Sequence, residues 1–323
     1  MPKREQAIPA ELQPSPADWS FDLDKALSSV VLLKSVVPED AFTSGSLGTE
    51  RGGSAVHIGD GRLLTIGYLV TEAEQLWLTT HDGRILRGDA LGYDQATGFG
   101  LVQALGRLDI PALKLGRSER TKAGDRAVLA AGGGRKNAMT VKVAARQEFA
   151  GYWEYLLEDA IFTAPAHPFW GGAALIGEDG TLLGIGSLVL QQGDEHGQAH
   201  DLNMVVPVEH LLPILDDMLR FGRTTAAVRP WLGLYATTDE DTVVVGGLAD
   251  DGPAEKAGLR TGDQILEVGD RKVTELGDLW RSIWATGEAG APVRLRLSRD
   301  GRETEVTVLS GDRASFLKAP RLH

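Results

Sequence analysis

Short runs of β-branched and aromatic residues dominate the chain from residue 30 to residue 206. Turn sequences such as Gly59-Asp60-Gly61, His81-Asp82-Gly83 and Glu178-Asp179-Gly180 separate these runs. Many short strands joined by tight turns indicate a β-barrel or a β-sandwich. The predicted strands are Val30–Val37, Ser54–Ile58, Arg62–Thr71, Gln75–Thr80, Ile85–Tyr93, Gly100–Ala104, Arg126–Ala131, Thr140–Ala145, Tyr155–Thr163, Ala173–Ile176 and Leu182–Leu190.

Helical spacing flanks this β-rich stretch. Asp22 or Asp24 is predicted to cap a helix that begins near Lys25. Leucine and methionine recur at helical spacing over Val208–Phe221, and Gly222 stands where a C-terminal cap glycine belongs. A smaller α+β unit follows, with strands Thr242–Gly246, Gln264–Val268, Val293–Ser298 and Glu303–Leu309 and helices Pro253–Ala257 and Leu276–Trp284.

Composition narrows the function classes. The 323 residues suggest about two domains, and 40 glycines exceed the average share of about 7%. A net charge of −12 without a basic patch argues against a nucleic-acid partner. With no cysteine in the sequence, disulfides, thiolate metal sites and cysteine nucleophiles are excluded.

Targeting signals are not evident. No apolar run approaches the ~18–20 residues that would cross a bilayer, so we expect no membrane span. The N-terminal residues are polar and interrupted by Pro2 and Pro9, unlike a secretory signal. We therefore expect a cytoplasmic location.

Two stretches resemble one protein family. Gly171–Ser187, with its Glu178-Asp179-Gly180 turn, is similar to the nucleophile strand of the trypsin-like HtrA/Deg serine proteases. Gly252–Val273 resembles the core of a bacterial, circularly permuted PDZ domain. Met204–Val208 resembles the segment that precedes the family's closing helix. The resemblance implies a mainly β chain, in which a trypsin-like double β-barrel precedes a small α+β PDZ domain.

The implied domains follow from that alignment. We expect an extended N-terminal arm over 1–24, the barrels over 25–222, a linker over 223–230, the PDZ domain over 231–310 and a tail over 311–323.

The resemblance also locates the family's catalytic triad. The nucleophile position falls on Gly171, the histidine position on Tyr68 and the aspartate position on Gly98. A serine protease needs a hydroxyl, an imidazole and a carboxylate at these places. A phenol with a pKa near ~10 is a poor base at pH 7. These three residues cannot form a catalytic triad, so the sequence predicts a pseudoprotease.

The family's oxyanion hole is altered as well. Its glycine two places before the nucleophile corresponds to Phe169, and Trp170 follows. Phenylalanine does not readily adopt the backbone turn that glycine allows, so we expect no oxyanion hole. The two large rings are expected to fill the cleft.

The predicted peptide-binding groove lies in the second unit. Trp231-Leu232-Gly233-Leu234 matches the family's carboxylate-binding loop, where backbone amides converge on a peptide's C-terminal carboxylate. Leu279, Trp280 and Ile283 on the facing helix are candidates for the groove wall or for the domain core. A groove closed or occupied by the chain's own tail is the alternative.

Other residue pairs offer weaker chemistry. Ser54 and His57, three apart on a strand, point to opposite faces and cannot form a hydrogen bond. His167 lies near Thr163 in sequence, but we interpret it as a polar loop residue. A possible divalent site in a glycine-bearing loop is interpreted as solvated, and its residues are Glu195, His196, His200 and Asp201.

Three further segments have two readings each. Gly132–Lys136 could cradle an anion, but it lacks a P-loop signature and is interpreted as a barrel turn. The aromatic segment Phe149–Tyr155 is either a contact surface or an aromatic ladder. Trp19 and Phe21 either contact a neighbouring subunit, as the family's trimerisation implies, or dock locally on the barrel.

These observations predict a catalytically inactive HtrA-like protein. It would bind protein C-termini or peptides through its PDZ domain and act as an adaptor, scaffold or chaperone-like subunit, without cofactor or metal. A homotrimer or a mixed oligomer with an active homologue is expected. The alternatives are an active serine-type endopeptidase with a relocated site and a regulatory subunit of an active homologue.

Overall fold

The computed structural model describes residues 7–193 and 199–318. The first twelve strands of the described chain are β1 Val30–Val36, β2 Glu50–Gly59, β3 Arg62–Ile66, β4 Gln75–Thr79, β5 Ile85–Tyr93, β6 Phe99–Ala104, β7 Arg126–Ala130, β8 Ala138–Gly151, β9 Tyr155–Ala164, β10 Ala174–Ile176, β11 Leu182–Gly193 and β12 Ala199–Pro207. Six further strands are β13 Leu234–Asp239, β14 Thr242–Leu248, β15 Gln264–Val268, β16 Arg271–Lys272, β17 Pro292–Arg299 and β18 Arg302–Leu309.

Helices are short. They are α1 Leu23–Ser28, α2 Ser44–Leu47, α3 Leu215–Phe221, α4 Pro253–Lys256 and α5 Leu276–Trp284. None of the helices in residues 7–193 and 199–318 has the length and apolar character needed to cross a bilayer.

The first twelve strands close into two barrels, with orders β1-β2-β3-β6-β5-β4 and β10-β11-β12-β9-β8-β7. Alternate side chains along each strand point inward and build each barrel's core. Leu129, Ile161 and Leu175 are fully buried in the core of the second barrel. The predicted mainly β fold with a double barrel is confirmed.

The N-terminal segment differs from the extended arm that the sequence predicts. Two 3-10 turns, Ala10–Leu12 and Pro16–Asp18, fold it back. Ile8 is buried in the second barrel's core, and Trp19 lies under the Arg126 guanidinium at 5.0 Å. Apolar burial thus orders residues that their prolines alone would leave extended. The positions of Pro2 and of the other residues before 7 lie outside the described part.

Two capping predictions have different outcomes. Asp22 caps α1 by accepting a hydrogen bond from the Lys25 amide at 3.0 Å, as expected. The helix predicted over Val208–Phe221 is wrong in its first half, because only a 3-10 turn forms before Pro213 and α3 begins at Leu215. Proline has no amide hydrogen for the helical ladder. Gly222 does end α3 in the left-handed conformation.

The second compact unit contains residues 226–318 and also the segment 148–158. Its sheet has the order β13-β14-β15-β17-β18, with β16 paired to β15. Leu279, Trp280 and Ile283 of α5 are fully buried in its core. The tip of the β8–β9 hairpin, predicted to belong to the barrel domain, therefore packs with the second unit.

Candidate functional site

Tyr68, at the family's histidine position, points toward the second barrel. Strand β3 ends at Ile66, and a 3-10 turn over Gly67–Leu69 carries the tyrosine inward. Its hydroxyl donates to the Ser187 carbonyl at 2.8 Å, and Arg51 fixes its backbone by donating to the Tyr68 carbonyl at 2.8 Å. Burial raises the pKa of Tyr68 above its usual value, against an opposing hydrogen bond from the Trp170 side chain. The phenol is therefore neutral and cannot serve as a base near pH 7.

Gly171, at the nucleophile position, faces the same phenol. A Cβ placed on Gly171 would lie 2.9 Å from the Tyr68 hydroxyl oxygen, closer than real Cβ atoms come to other heavy atoms. The Gly171 carbonyl accepts a hydrogen bond from the Ser54 amide at 2.8 Å. The structure thus brings the two predicted triad positions together, with the phenol oxygen 2.9 Å from the point where the side chain of residue 171 would begin.

Gly98, at the aspartate position, makes only backbone contacts. Its carbonyl accepts a hydrogen bond from the Gly67 amide at 2.6 Å, which connects it to the turn bearing Tyr68. The nearby carboxylate in sequence, Asp94, accepts from the amide and the hydroxyl of Thr97, both at 2.7 Å. That carboxylate therefore closes its own turn.

The predicted oxyanion region uses its amide elsewhere. The Phe169 amide donates to His167 Nδ1 at 2.9 Å, and His167 Nε2 contacts the Asn137 carbonyl at 3.1 Å. Burial lowers the pKa of His167 to about 4, so the ring is neutral with its proton on Nε2. The Phe169 ring is 41% exposed, contrary to the expectation that it fills the cleft. Trp170 is partly buried and interacts with Tyr68.

A relocated hydroxyl–imidazole pair does not form among the residues considered from sequence. The Ser54 hydroxyl accepts from the Gly132 amide at 3.0 Å. His57 contacts the Pro111 carbonyl at 3.0 Å and the Gly61 amide at 3.3 Å. These partners agree with the predicted separation of the two side chains.

His167 and Thr163 also stay apart. His167 lies in the loop after β9, as interpreted, but it is fully buried, and its ring fixes the turn that leads to Gly171. In the described chain the buried Thr163 hydroxyl has no hydrogen-bond partner. Both ring nitrogens of His167 have other hydrogen-bond partners, so neither pairs with the Thr163 hydroxyl.

The remaining barrel segments have structural roles. Gly132–Lys136 leads from β7 into the turn before β8, and a Cβ on Gly132 would lie 2.4 Å from the Leu32 amide nitrogen, so this glycine allows two strands to approach closely. Trp19 and Phe21 pack against each other at 5.8 Å, and Phe21 packs over Gly180. These aromatic rings dock locally.

The proposed divalent loop is only partly described. Glu195 and His196 lie outside the described residues. His200 and Asp201 belong to β12, where they pair with Gln192 and Gln191, so the structure places them on a strand and not in a loop. Within residues 7–193 and 199–318, no group of three or more His, Asp or Glu side chains could hold a metal ion.

In the second unit, the predicted carboxylate-binding loop forms and surrounds a carboxylate. Glu154 Oε1 accepts from the amides of Leu232, Gly233 and Leu234 at 3.2, 2.7 and 2.9 Å. Glu154 Oε2 accepts from the Leu232 amide at 3.1 Å. Gly233 has a φ of 76°, which glycine adopts without strain and which turns the amides toward one point.

The backbone around Glu154 lies along β13 and α5. The Tyr152 carbonyl accepts from the Ala236 amide at 2.9 Å. The Gly151 carbonyl accepts from the Trp280 indole nitrogen at 2.9 Å. Of the candidate wall residues, Leu279 and Ile283 serve the core, while Trp280 serves both the core and this segment.

Glu154 is held at an energetic cost. Its φ of 59° is in the left-handed region, which costs a non-glycine residue about 1–2 kcal/mol. The residue is 4% exposed. Burial raises the pKa of Glu154 to about 7, although the three backbone hydrogen bonds and the charge of Arg313 act in the opposite direction. Four amide contacts offset these costs.

The aromatic segment forms a ladder around the same glutamate. The rings of Trp153 and Tyr155 stack at 5.6 Å, and Phe149 lies 6.1 Å from Trp153. Tyr152 is 56% exposed and lies 6.1 Å from Tyr235. The sequence analysis noted these aromatic residues but not Glu154, whose only signal is its position between Trp153 and Tyr155.

The tail contacts Trp231, the first residue of this loop. Gly311 and Trp231 exchange backbone hydrogen bonds at 3.0 and 2.8 Å. Phe316 packs on the Trp231 ring at 4.7 Å. The tail was the alternative occupant of the groove in the sequence analysis, but Glu154 of the segment 148–158 contacts the loop amides.

Comparison with known proteins agrees with these two units. A family model described as a trypsin-like peptidase domain matches residues 53–185, and a PDZ domain model matches residues 230–309. A probable periplasmic serine endoprotease DegP-like from Pseudomonas fluorescens is 25% identical over 270 residues, which are 78% of this chain and 54% of the relative. The chain thus spans about half the length of the DegP-like relatives that it matches.

Two further matches have similar coverage. Protease Do-like 1, chloroplastic, from Arabidopsis thaliana is 27% identical over 312 residues, 87% of this chain and 68% of the relative. The solved structure titled HtrA-type protease AlgW with decapeptide has a TM-score of 0.54 at 21% identity and covers 93% of this chain and 100% of its own. The match to the AlgW structure supports the fold.

The relatives correct the predicted location. Several carry names of periplasmic serine endoproteases, which contradicts the predicted cytoplasmic location. The chain is thus similar to HtrA/DegP-like proteins, with a match to a trypsin-like peptidase domain followed by a match to a PDZ domain.

Proposed function

We propose that this chain is a catalytically inactive HtrA-like protein that binds protein C-termini or peptides through its PDZ domain, as an adaptor, scaffold or chaperone-like subunit. The observation that carries the proposal is the pair Tyr68 and Gly171, where the Tyr68 hydroxyl lies 2.9 Å from the point at which a nucleophile side chain would begin. Acyl transfer needs a nucleophile and a base, and a glycine facing a neutral phenol supplies neither.

Two other features support inactivity. Gly98 has no carboxylate to orient a base. The Phe169 amide, at the position of an oxyanion donor, is already hydrogen-bonded to His167. An oxyanion hole requires amides aimed at the developing negative charge. Nucleophile, base, orienting acid and one oxyanion donor are thus all changed.

Peptide binding is supported by the amides of Leu232, Gly233 and Leu234, which converge on one carboxylate. The geometry suits a carboxylate ligand with an extended backbone beside β13. We further propose a homotrimer or a mixed oligomer with an active homologue, in which this chain would regulate its partner.

A serine endopeptidase with a relocated site is the second candidate, favoured by the names of the relatives. The purified chain should be incubated with casein and with a fluorophosphonate probe, beside an active HtrA protease as positive control. We expect neither cleavage nor a labelled band at the mass of this chain. Labelling of a serine or threonine in this chain, located by mass spectrometry, would establish the endopeptidase instead.

A further inference from the structure

The carboxylate-binding loop already holds a ligand, and that ligand is a side chain of the same protein. The amides of Leu232, Gly233 and Leu234 all donate to Glu154. In C-terminal peptide capture, the acceptor is the α-carboxylate of the ligand's last residue. Glu154 presents the same chemical group from a side chain within the chain.

The backbone before Glu154 also contacts the strand that follows the loop. Tyr152, two residues before Glu154, accepts a hydrogen bond from Ala236, two residues after Leu234. Tyr152 and Glu154 both lie in the turn of the β8–β9 hairpin. This turn therefore offers the Glu154 side-chain carboxyl group to the loop amides and the Tyr152 backbone carbonyl to β13.

Both ends of the segment are anchored within the second unit. The Trp280 indole holds the Gly151 carbonyl, and Arg281 forms an ion pair with Glu148. On the other side, Leu156 is 8% exposed and belongs to the core of this unit. The left-handed backbone at Glu154 aims its carboxylate at the amides. These contacts hold the segment in a defined position in the second unit, with Glu154 directed at the loop amides.

We propose that residues 148–156 are an internal ligand of the peptide groove, and that an external C-terminal peptide binds by displacing Glu154 from the amides of Leu232–Leu234. The inference rests on the proposed peptide-binding function and adds its regulation. Two carboxylates cannot accept the same N–H groups at once, so the two ligands exclude each other. The apparent peptide affinity is then reduced by the fraction of molecules with an occupied groove.

The internal ligand also indicates the chemistry of the external one. A competing peptide needs a free α-carboxylate in place of the Glu154 side chain. An aromatic residue two positions before its end would take the place of Tyr152 beside Tyr235. A suitable probe contains residues 147–153 of this chain followed by a C-terminal alanine, with a fluorescent label at its N-terminus. The same peptide with a C-terminal amide lacks the carboxylate.

Hydrogen–deuterium exchange of the full chain tests the internal ligand without any peptide. Glu154→Ala removes the acceptor, so exchange of the Leu232–Leu234 amides should accelerate at least about tenfold. Glu154→Gln retains the side-chain volume and one acceptor oxygen, so it should accelerate exchange to a smaller extent. This variant provides the test if the alanine variant is unstable. Glu158→Ala, an exposed glutamate of the same hairpin, is the matched control. Equal protection in all four proteins would overturn the proposal.

Fluorescence anisotropy with the probe then tests competition. We expect Glu154→Ala to bind the carboxylate peptide about tenfold more tightly than the wild type and Glu158→Ala, and the amidated peptide weakly. Equal affinity in the wild type and Glu154→Ala, despite faster exchange, would overturn displacement. Faster exchange without binding of the peptide to any variant would support the internal ligand and refute the proposed peptide-binding function.

Discussion

The hydroxyl of Tyr68 stands 2.9 Å from the point where a side chain on Gly171 would begin. The two residues are far apart in sequence, yet the two barrels bring them together at the family's histidine and nucleophile positions. The phenol is fixed there by its hydrogen bond to the Ser187 carbonyl. A side chain at residue 171 and the phenol at residue 68 therefore compete for the same space, which makes the two positions energetically coupled.

A double-mutant cycle measures that coupling. Gly171→Ala should lower the free energy of unfolding by about 1–3 kcal/mol, because its Cβ overlaps the Tyr68 oxygen. In a Tyr68→Phe background the nearest ring carbon is 3.8 Å away, so the same alanine should cost less than about 1 kcal/mol. Urea denaturation gives these values. Gly52→Ala, whose Cβ would meet no atom within 4 Å, is the control. Equal costs of Gly171→Ala in both backgrounds would refute the contact.

Restoring the nucleophile alone should not restore activity. Gly171→Ser supplies a hydroxyl, but its neighbour Tyr68 is a neutral phenol that cannot accept the proton. The Phe169 amide also stays bound to His167. We therefore expect no fluorophosphonate labelling of Gly171→Ser above the level of Gly171→Ala. Labelling of residue 171 would show that another base serves it.

Local signals in the sequence predicted much of the fold. Asp22 and Gly222 act at helix ends, where capping depends on adjacent residues. The strand pattern likewise follows from alternation along each strand. The helix predicted from Val208 did not form as a whole, because the leucine periodicity passes through Pro213.

The internal ligand has no comparable signal. Glu154 is 78 to 80 residues away from the amides that it contacts. Every residue except proline carries a backbone amide, so the sequence does not reveal which ones a carboxylate will meet. The Phe149–Tyr155 aromatic residues indicated a packed segment, but only the fold shows that it packs beside β13. Contacts between residues far apart in the sequence do not follow from these local patterns.

Peptide affinity should depend on pH through Glu154. Burial raises the pKa of Glu154 from 4.5 to about 7 when the segment is docked. Between pH 4.5 and pH 7, Glu154 is therefore protonated in the docked segment and ionised in the released segment. Docking is therefore strongest below pH 4.5 and weakens as pH rises through 7. Affinity for the carboxylate peptide should increase by about tenfold from pH 5 to pH 8, measured by anisotropy.

The control for this pH dependence is Glu154→Gln, which cannot titrate at residue 154. The other ionisable groups near Glu154 and its neighbour Tyr235 are Arg313, Tyr152 and Asp250. They are present in both proteins, so the difference between the two pH profiles isolates Glu154. The profile of Glu154→Gln should be flatter. Identical profiles would mean that another group controls binding.

Replacement of Gly233 should impair peptide binding by the groove without affecting the folding of the barrels. Its φ of 76° disfavours a β-branched residue, and a Cβ there would lie 3.1 Å from the Ala249 side chain. Gly233→Val should therefore misalign the loop amides and weaken peptide binding at least tenfold. Gly246→Val on β14, where the nearest atom is 3.6 Å away, is the control. Unchanged peptide affinity in Gly233→Val would place the carboxylate site elsewhere.

Trp280 links the core of the second unit to the internal ligand through one hydrogen bond. Trp280→Phe keeps an aromatic ring in the core but removes the indole donor, which leaves the buried Gly151 carbonyl without that bond. The lost hydrogen bond should cost about 1–3 kcal/mol of docking free energy. The smaller phenylalanine ring also makes fewer packing contacts than the tryptophan. Weaker docking should raise affinity for the carboxylate peptide several-fold. Trp284→Phe, on the same helix with its ring under Arg229, should leave that affinity unchanged. Because both variants shrink one tryptophan of α5, a gain confined to Trp280→Phe would assign the effect to the Gly151 bond, whereas equal gains would assign it to general loosening of the domain.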